Sequence, residues 1–199
     1  MNSLSSNQEY FEKTFKNLEL TEEIIEHSEF EECQFIGCDL SSSQFKHCRF
    51  INCDFIESNL SLLNLSYSRL SGVGFRECKM VGIDWTSINW PSYHADFELS
   101  FKHCVLNDNS FFGLTLNNLH LEECKMHDVD FREGDFTESN ITYCDLTGAQ
   151  FMKSNLQGCD FTESSNYAIN PFENNIKEAK FSRWEAFSLL ECMGIELVD

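Results

Sequence analysis

Large apolar residues recur along this chain at every fifth position. From Phe15 they run through Leu20, Ile25, Phe30, Phe35, Leu40, Phe45, Phe50 and Phe55, then Leu60, Leu65, Leu70, Phe75, Met80, Trp85 and Trp90. The phase slips by one residue within 91–100 and resumes at Phe101. Leu106, Phe111, Leu116, Leu121, Met126, Phe131, Phe136, Ile141, Leu146, Phe151, Leu156 and Phe161 follow, and Asn166 ends the run. On an α-helix a step of five turns about 140° from the starting face, so these residues would spiral around it. Along a strand an odd step places successive residues on opposite faces. The pattern therefore predicts an all-β solenoid, in which each five-residue side turns a corner and brings the next large residue back inside.

Two residues before each large position lies a small one: Ser28, Cys33, Cys38, Ser43, Cys48, Cys53, Ser58, Ser68, Val73 and Cys78, then Cys104, Cys124, Val129, Ser139, Cys144, Ala149, Ser154, Cys159 and Ser164. One large and one small inward residue per side would fill a narrow interior. Leu63, Ile83, Ile88, Leu114 and Leu119 are oversized for this row. Stretches such as CDLSSSQFKHCRFINCDFIESNL and CDLTGAQFMKSNLQGCDFTESS resemble the pentapeptide-repeat family. The resemblance spans about residues 15–165. It implies a right-handed quadrilateral β-helix with twenty residues per coil. The chain then divides into an N-terminal segment (1–14), the repeat (15–165, as stacks 15–90 and 101–161 joined by 91–100) and a C-terminal module (166–199).

The joint 91–100 contains Trp90-Pro91, and proline removes a ladder donor and fixes φ. It reads either as a kink between two stacks or as an uneventful one-residue bulge, with a cis or trans Trp90-Pro91 bond left open. In the C-terminal module, Ser182 and Glu185 have capping-box spacing. Trp184, Phe187, Leu190 (or Leu189) and Met193 recur at helical spacing, Gly194 is placed to end a helix, and Ile195–Val198 reads as a short strand. A solenoid end needs a cap. The apolar surface here exceeds what one coil end requires, so Trp184, Phe187, Leu190, Met193, Ile195 and Leu197 are expected to form a homodimer interface as well; a lone cap is the simpler alternative.

Composition narrows the function. Fourteen Lys and Arg stand against 33 Asp and Glu, giving a net charge of −19. Such a chain repels nucleic-acid phosphates and anionic membranes, so neither direct nucleic-acid binding nor membrane docking is expected. The polar N-terminus and the lack of a long apolar run point to the cytoplasm. Nine of the ten cysteines occupy the small inward row, Cys192 excepted. Cys33 should stack under Cys53, and Cys104, Cys124 and Cys144 should share a column, within reach of a disulfide. Even so, they read as small hydrophobes. His27 and His47, twenty apart, should stack as a solvated ladder or a weak metal pair. No catalytic motif and no pocket-forming polar constellation is present, so the chain is expected to be no enzyme and to need no cofactor or metal.

With an apolar interior, function must lie outside. About seven coils would make a rod of roughly 34 Å, with a linear charge density comparable to B-DNA. Acids cluster at Glu19, Glu22, Glu23, Glu26, Glu29, Glu31, Glu32 and Asp39, and again at Glu122, Glu123, Asp128, Asp130, Glu133, Asp135 and Glu138. These are the expected partner-binding surface. The segment DWTSINWPSYHADFELSFKHCVLNDNSFFGL and the tail KFSRWEAFSLLECMGIELVD resemble the gyrase-protecting branch of the family. That branch includes the Qnr, albicidin-immunity and microcin B17-immunity types, and the chain is most similar to the albicidin-immunity type. The resemblance implies a DNA mimic that binds DNA gyrase or another type II topoisomerase and protects it from a poison. The alternative is a pentapeptide scaffold with another partner. A single net insertion implies that the extruded loops tied to quinolone protection in some Qnr proteins are absent, which leaves quinolone protection open beside self-immunity against a natural gyrase toxin or plain gyrase inhibition.

Overall fold

The computed structural model describes residues 4–90 and 97–198. Its strands are two or three residues long and pair in parallel with the residue one coil away. Phe15 pairs with Phe35, Phe35 with Phe55 and Phe55 with Phe75. The resulting parallel β-solenoid has four faces, named here by their first inward residues: Tyr10, Phe15, Leu20 and Ile25. The Phe15 face is the longest, a nine-stranded sheet ending at Lys180–Phe181. Eight steps at β-sheet spacing make it about 38 Å long. The ladder thus extends beyond the uninterrupted run, from Glu9–Phe11 at one end to Ala168–Ile169 and Lys180–Phe181 at the other.

The large row forms columns of stacked rings. Phe15, Phe35, Phe55, Phe75 and Phe101 follow one another at centroid distances of 4.9, 4.6, 5.1 and 5.0 Å. Trp85, Phe111, Phe131 and Phe151 do the same at 5.4, 5.3 and 5.1 Å. The strand spacing sets these distances, which lie in the range at which flat rings stack. In the small row, Ser68 Oγ accepts from Cys48 N and donates to Phe45 O, so a buried hydroxyl closes two backbone gaps. The thiols take similar places: Cys78 Sγ lies 3.3 Å from both Phe55 O and Arg76 O.

The joint near residue 91 differs from the expected single insertion. Gly74 pairs with Ser100, Lys79 with Val105 and Asp84 with Ser110, so this coil holds 26 residues. Asn89 N still bonds Ser68 O at the ordinary offset, whereas Gly72 N bonds Phe97 O. The six additional residues are therefore 91–96. Six exceeds one repeat by one, so the fivefold phase records it as a slip of one residue. The expected kink or bulge and the Trp90-Pro91 isomer lie in or against 91–96, outside the described residues.

Glycine and proline together are only 11, yet the chain turns at every side. It turns on ordinary residues held at positive φ: among the described residues 26 non-glycine residues have φ between 44° and 62°, nearly all two positions after a large inward residue. Their N–H groups bond the next coil, as Glu12 N does Glu31 O and Glu57 N does Arg76 O.

The C-terminal module departs from expectation in two respects. The helix is short, Phe187–Cys192, and no side chain caps its first turn. Ser182 is not part of a capping box, because its hydroxyl accepts from Glu163 N at 2.8 Å and donates to Glu163 Oε1 at 3.1 Å. The last coil has taken the hydroxyl that the helix would have used. Gly194 does end the helix, at φ 78°, with Ile195 N bonded to Leu190 O. Ile195–Val198 forms no strand, since no neighbouring chain segment pairs with it.

Candidate functional site

The two acidic segments do not share a face. Glu29 and Glu31 lie on the Tyr10 face with Glu32 at its edge, Glu19 and Asp39 on the Leu20 face with Glu22 at its edge, and Glu23 and Glu26 on the Ile25 side. The second segment spreads likewise: Asp135 and Glu138 belong to the Tyr10 face and its edge, Glu122 and Glu123 to the Phe15 face and its edge, Asp128 to the edge of the Leu20 face, and Asp130 and Glu133 to the Ile25 face and its edge. A run of fifteen or so residues wraps most of a coil, so linear clusters become belts.

Several of these acids are committed within the rod. Asp39 accepts from Ser41 N and Oγ and from Asn59 Nδ2, and these bonds hold its carboxyl below the usual range. Arg132 grips Asp130 at 2.9 and 2.7 Å and does the same to it. Burial pushes Asp135 up, but bonds from Thr137 and Asn155 outweigh it, and its pKa is lowered. Glu29 pairs with Arg49, Glu122 with Lys102, Glu123 with His103 and Glu133 with Lys153. Asp39, Asp130 and Asp135 make Asx-type turns, a structural role.

Stacking brings a different set together. At the corner between the Tyr10 and Phe15 faces stand Glu12, Glu32, Glu98, Glu138 and Glu178, all at positive φ. At the corner between the Phe15 and Leu20 faces stand Glu57, Glu77, Glu123 and Glu163. The nine-stranded face thus runs between two corner columns in which these glutamates are interspersed with Asn52, Gly72, Asn118 and Gly158 on one side and with Asn17, Gly37, His103 and Tyr143 on the other. Between the rows the face is mixed, with Lys102 bound to Glu122 and Lys180 to Asp160. Glu12, Glu57, Glu77, Glu98, Glu163 and Glu178 escaped the linear reading; the signal that finds them is position two after each large residue, compared at intervals of one coil.

The remaining candidates sort by geometry. His27 and His47 stack as expected, with centroids 4.9 Å apart and planes 7° from parallel, and Tyr67 continues the stack at 5.0 Å. Among the described residues no group of three or more His, Cys, Asp or Glu side chains is arranged to hold a metal ion. Nine cysteines are buried; Cys78 joins Cys104, Cys124 and Cys144 in one column because the 26-residue coil brings 78 under 104. Burial pushes the thiols of Cys53 and Cys159 up to about 12. Of the expected interface residues, Trp184, Phe187, Ile195 and Leu197 are exposed, and Leu190 and Met193 are partly so.

The fold and its five-residue sides define a class, and comparison with known proteins names it. The family model for a pentapeptide repeat region matches residues 28–98 and 95–161. The chain belongs to the pentapeptide-repeat family. Among solved structures it is similar to a trypsin-treated variant of QnrB1, a plasmid-mediated fluoroquinolone resistance protein, at 18% identity and TM-score 0.72, over 98% of this chain and 99% of that one. A second trypsin-treated variant gives 20% identity and TM-score 0.57, covering 96% and 92%. Full-length QnrB1 gives 20% and 0.55, covering 94% and 100%. These likenesses describe the fold, a right-handed quadrilateral β-helix. No curated protein matches the sequence.

Proposed function

We propose that this protein is a DNA-mimicking ligand of DNA gyrase or another type II topoisomerase, which protects the enzyme from a poison, either an antibiotic or a self-toxin. The observation that carries the reading is the set of nine corner glutamates flanking the Phe15 face. Successive coils are about 4.8 Å apart, and a charge of −19 on a rod of about 38 Å compares with roughly 22 phosphates on the same length of B-DNA.

The choice of residue strengthens it. Positive φ suits glycine, and among other residues asparagine and aspartate. Eleven of the 22 glutamates nevertheless occupy such corners. A carboxylate is retained where backbone comfort favours another residue, as expected if the charge itself is used. The resemblance of 84–114 and 180–199 to the gyrase-protecting branch supplies the partner. QnrB1 is described as a fluoroquinolone resistance protein, and the six additional residues at 91–96 remove the ground for leaving quinolones out. The rod acts as a homodimer in this reading, through the exposed Trp184, Phe187, Ile195 and Leu197.

Binding should compete with DNA and weaken with salt, because exposed charges are screened beyond about 8 Å at physiological ionic strength. The test is a titration of gyrase with labelled protein at several salt concentrations, with and without linear DNA. Mutually exclusive binding supports the proposal. Simultaneous binding of rod and DNA would refute mimicry, and no binding at tens of micromolar would favour a scaffold with another partner. Sedimentation at the same concentration tests the dimer, and a monomer there removes it.

A further inference from the structure

The Tyr10 face carries a cleft of about 480 Å³, with Arg49, Ile51, Arg69, Ser71, Asn89 and Trp90 in its lining. That volume lies in the range of small-molecule sites. The four-stranded sheet of this face ends at Arg69–Ser71. One coil on, Asn89 N still bonds Ser68 O, but the ladder opens at the next step. Leu40 N bonds Asn59 O and Leu60 N bonds Lys79 O, whereas Leu70 N meets no backbone carbonyl among the described residues. The indole of Trp90 is fixed at the rim, because its Nε1 donates to Trp85 O at 2.9 Å and its ring stands edge-on to Phe97 at 5.2 Å. The cleft is thus a parting between two coils with one rigid aromatic wall.

Its charge runs against the rest of the rod. Residues 46–79 hold five Lys and Arg and three Asp and Glu, in a chain whose net charge is −19. No Asp or Glu lines the cleft among the described residues. Arg49 and Arg69 are paired in register on neighbouring strands, so two like charges project from backbones about 4.8 Å apart. Such a pair is unfavourable unless an anion lies between them. Glu29, on the coil away from Arg69, accepts from Arg49 Nη1 at 2.9 Å. Arg69 makes no ion pair or side-chain hydrogen bond among the described residues. Lys102 and Lys180, by contrast, each meet an acid one coil away, Glu122 and Asp160.

Two guanidinium forks side by side suit a flat carboxylate, which each can hold through parallel N–H bonds. The half-buried Ile51 and Trp90 beside them favour a ligand that also has an apolar body. A partner's Asp or Glu side chain would leave most of the volume unfilled. We propose that this cleft binds a small organic anion, a carboxylate borne on a flat apolar body. The carboxylate lies between the Arg49 and Arg69 guanidiniums and the body against Ile51 and Trp90. The site is independent of any topoisomerase partner.

The probe is 2-naphthoate, titrated into the ¹⁵N-labelled full chain, with 2-naphthamide as its uncharged counterpart and inorganic phosphate as an anion without an apolar body. At millimolar concentration naphthoate should shift the Trp90 indole N–H and the amides of Leu70, Ser71 and Asn89, and the other two should bind at least tenfold more weakly. Arg69→Gln should weaken naphthoate binding at least tenfold. Arg76→Gln removes the same charge from the Phe15 face and should weaken it less than threefold. Arg69 is exposed and faces a like charge, so Arg69→Gln should melt at or above the wild-type temperature, which separates loss of binding from loss of fold. Equal binding of naphthamide would reduce the site to an apolar patch, and equal binding of phosphate would reduce it to a bare anion site. Equal losses in the two variants would mean that only total charge matters. Each of these results overturns the proposal, as does the absence of localised shifts at tens of millimolar naphthoate.

Discussion

The Trp85–Asn109 pair offers the sharpest test of how the core is held. Both side chains are buried, and Trp85 Nε1 donates to Asn109 Oδ1 at 2.6 Å. Asn109 occupies the small inward row, and its Nδ2 lies within hydrogen-bond distance of Met80 O, Leu106 O and Asn107 O, at 2.6, 2.7 and 3.1 Å. Asn109→Val removes the acceptor of the indole N–H and the amide that serves those carbonyls. One stranded buried donor costs about 1–3 kcal/mol, and the lost amide bonds about 1 kcal/mol more, so a loss of about 3 kcal/mol is expected. Trp85→Phe strands Asn109 Oδ1 and also removes ring volume, for a loss of about 2–4 kcal/mol. In the double variant no partner is left waiting for the other. The double loss should therefore fall short of the sum by about 1–2 kcal/mol. Urea unfolding followed by far-UV circular dichroism measures all four corners of the cycle. Additivity within 0.3 kcal/mol would show that the 2.6 Å contact does not couple the pair and would refute the reasoning.

Further expectations follow from other parts of the rod. Gly134 stands in the small row above the oversized Leu114, and a Cβ there would lie 2.4 Å from the Phe136 ring and 3.1 Å from Leu114 O; Gly134→Ala should cost about 1–3 kcal/mol in the same assay, and no loss would mean the coils are loosely packed. Burial pushes the carboxyl of Asp145 up, but bonds from Thr147, Asn166 and His127 outweigh it and hold it well below the usual range. Its contribution is therefore present above about pH 4 and fades as pH falls through the folded-state value, so Asp145→Asn should lower the melting temperature at pH 7 and flatten its decline in acid; parallel pH profiles would contradict this. Alkylation of the native protein at pH 7.5 should label Cys192 alone, with the nine buried thiols reacting only on unfolding; rapid labelling of more than one would show that the coils open. Deleting 91–96 restores a 20-residue coil between in-register flanks and should leave the circular dichroism spectrum and unfolding cooperativity unchanged; loss of cooperative unfolding would place the insertion elsewhere.

The fold was legible because five is incommensurate with both helix and strand, and the row from Phe15 to Phe161 admits little but a solenoid. The same periodicity concealed the insertion: a row read modulo five registers six residues as one, and only the pairing of Gly74 with Ser100 distinguishes them. Acidic clusters were legible along the chain but not around it, since Glu29 and Glu22 are near in sequence and on different sides of the rod. Glu57 and Glu77 are far apart in sequence and adjacent in space. At the C-terminus, Ser182 and Glu185 satisfied the local capping rule, yet the long-range bond from Glu163 took the hydroxyl. Local rules describe a segment by itself, and the last coil of a solenoid is not by itself.

The central claim is that the protein shields a topoisomerase from poisoning. It is tested most directly by gyrase supercoiling and DNA-cleavage assays with the purified rod, each in the absence of poison, with a quinolone and with an albicidin-like compound. The account predicts that substoichiometric to equimolar rod lowers poison-induced cleavage with at least one compound, and that Glu57→Lys with Glu77→Lys abolishes the effect without unfolding the protein. Unchanged cleavage with every poison at tens of micromolar rod would contradict it.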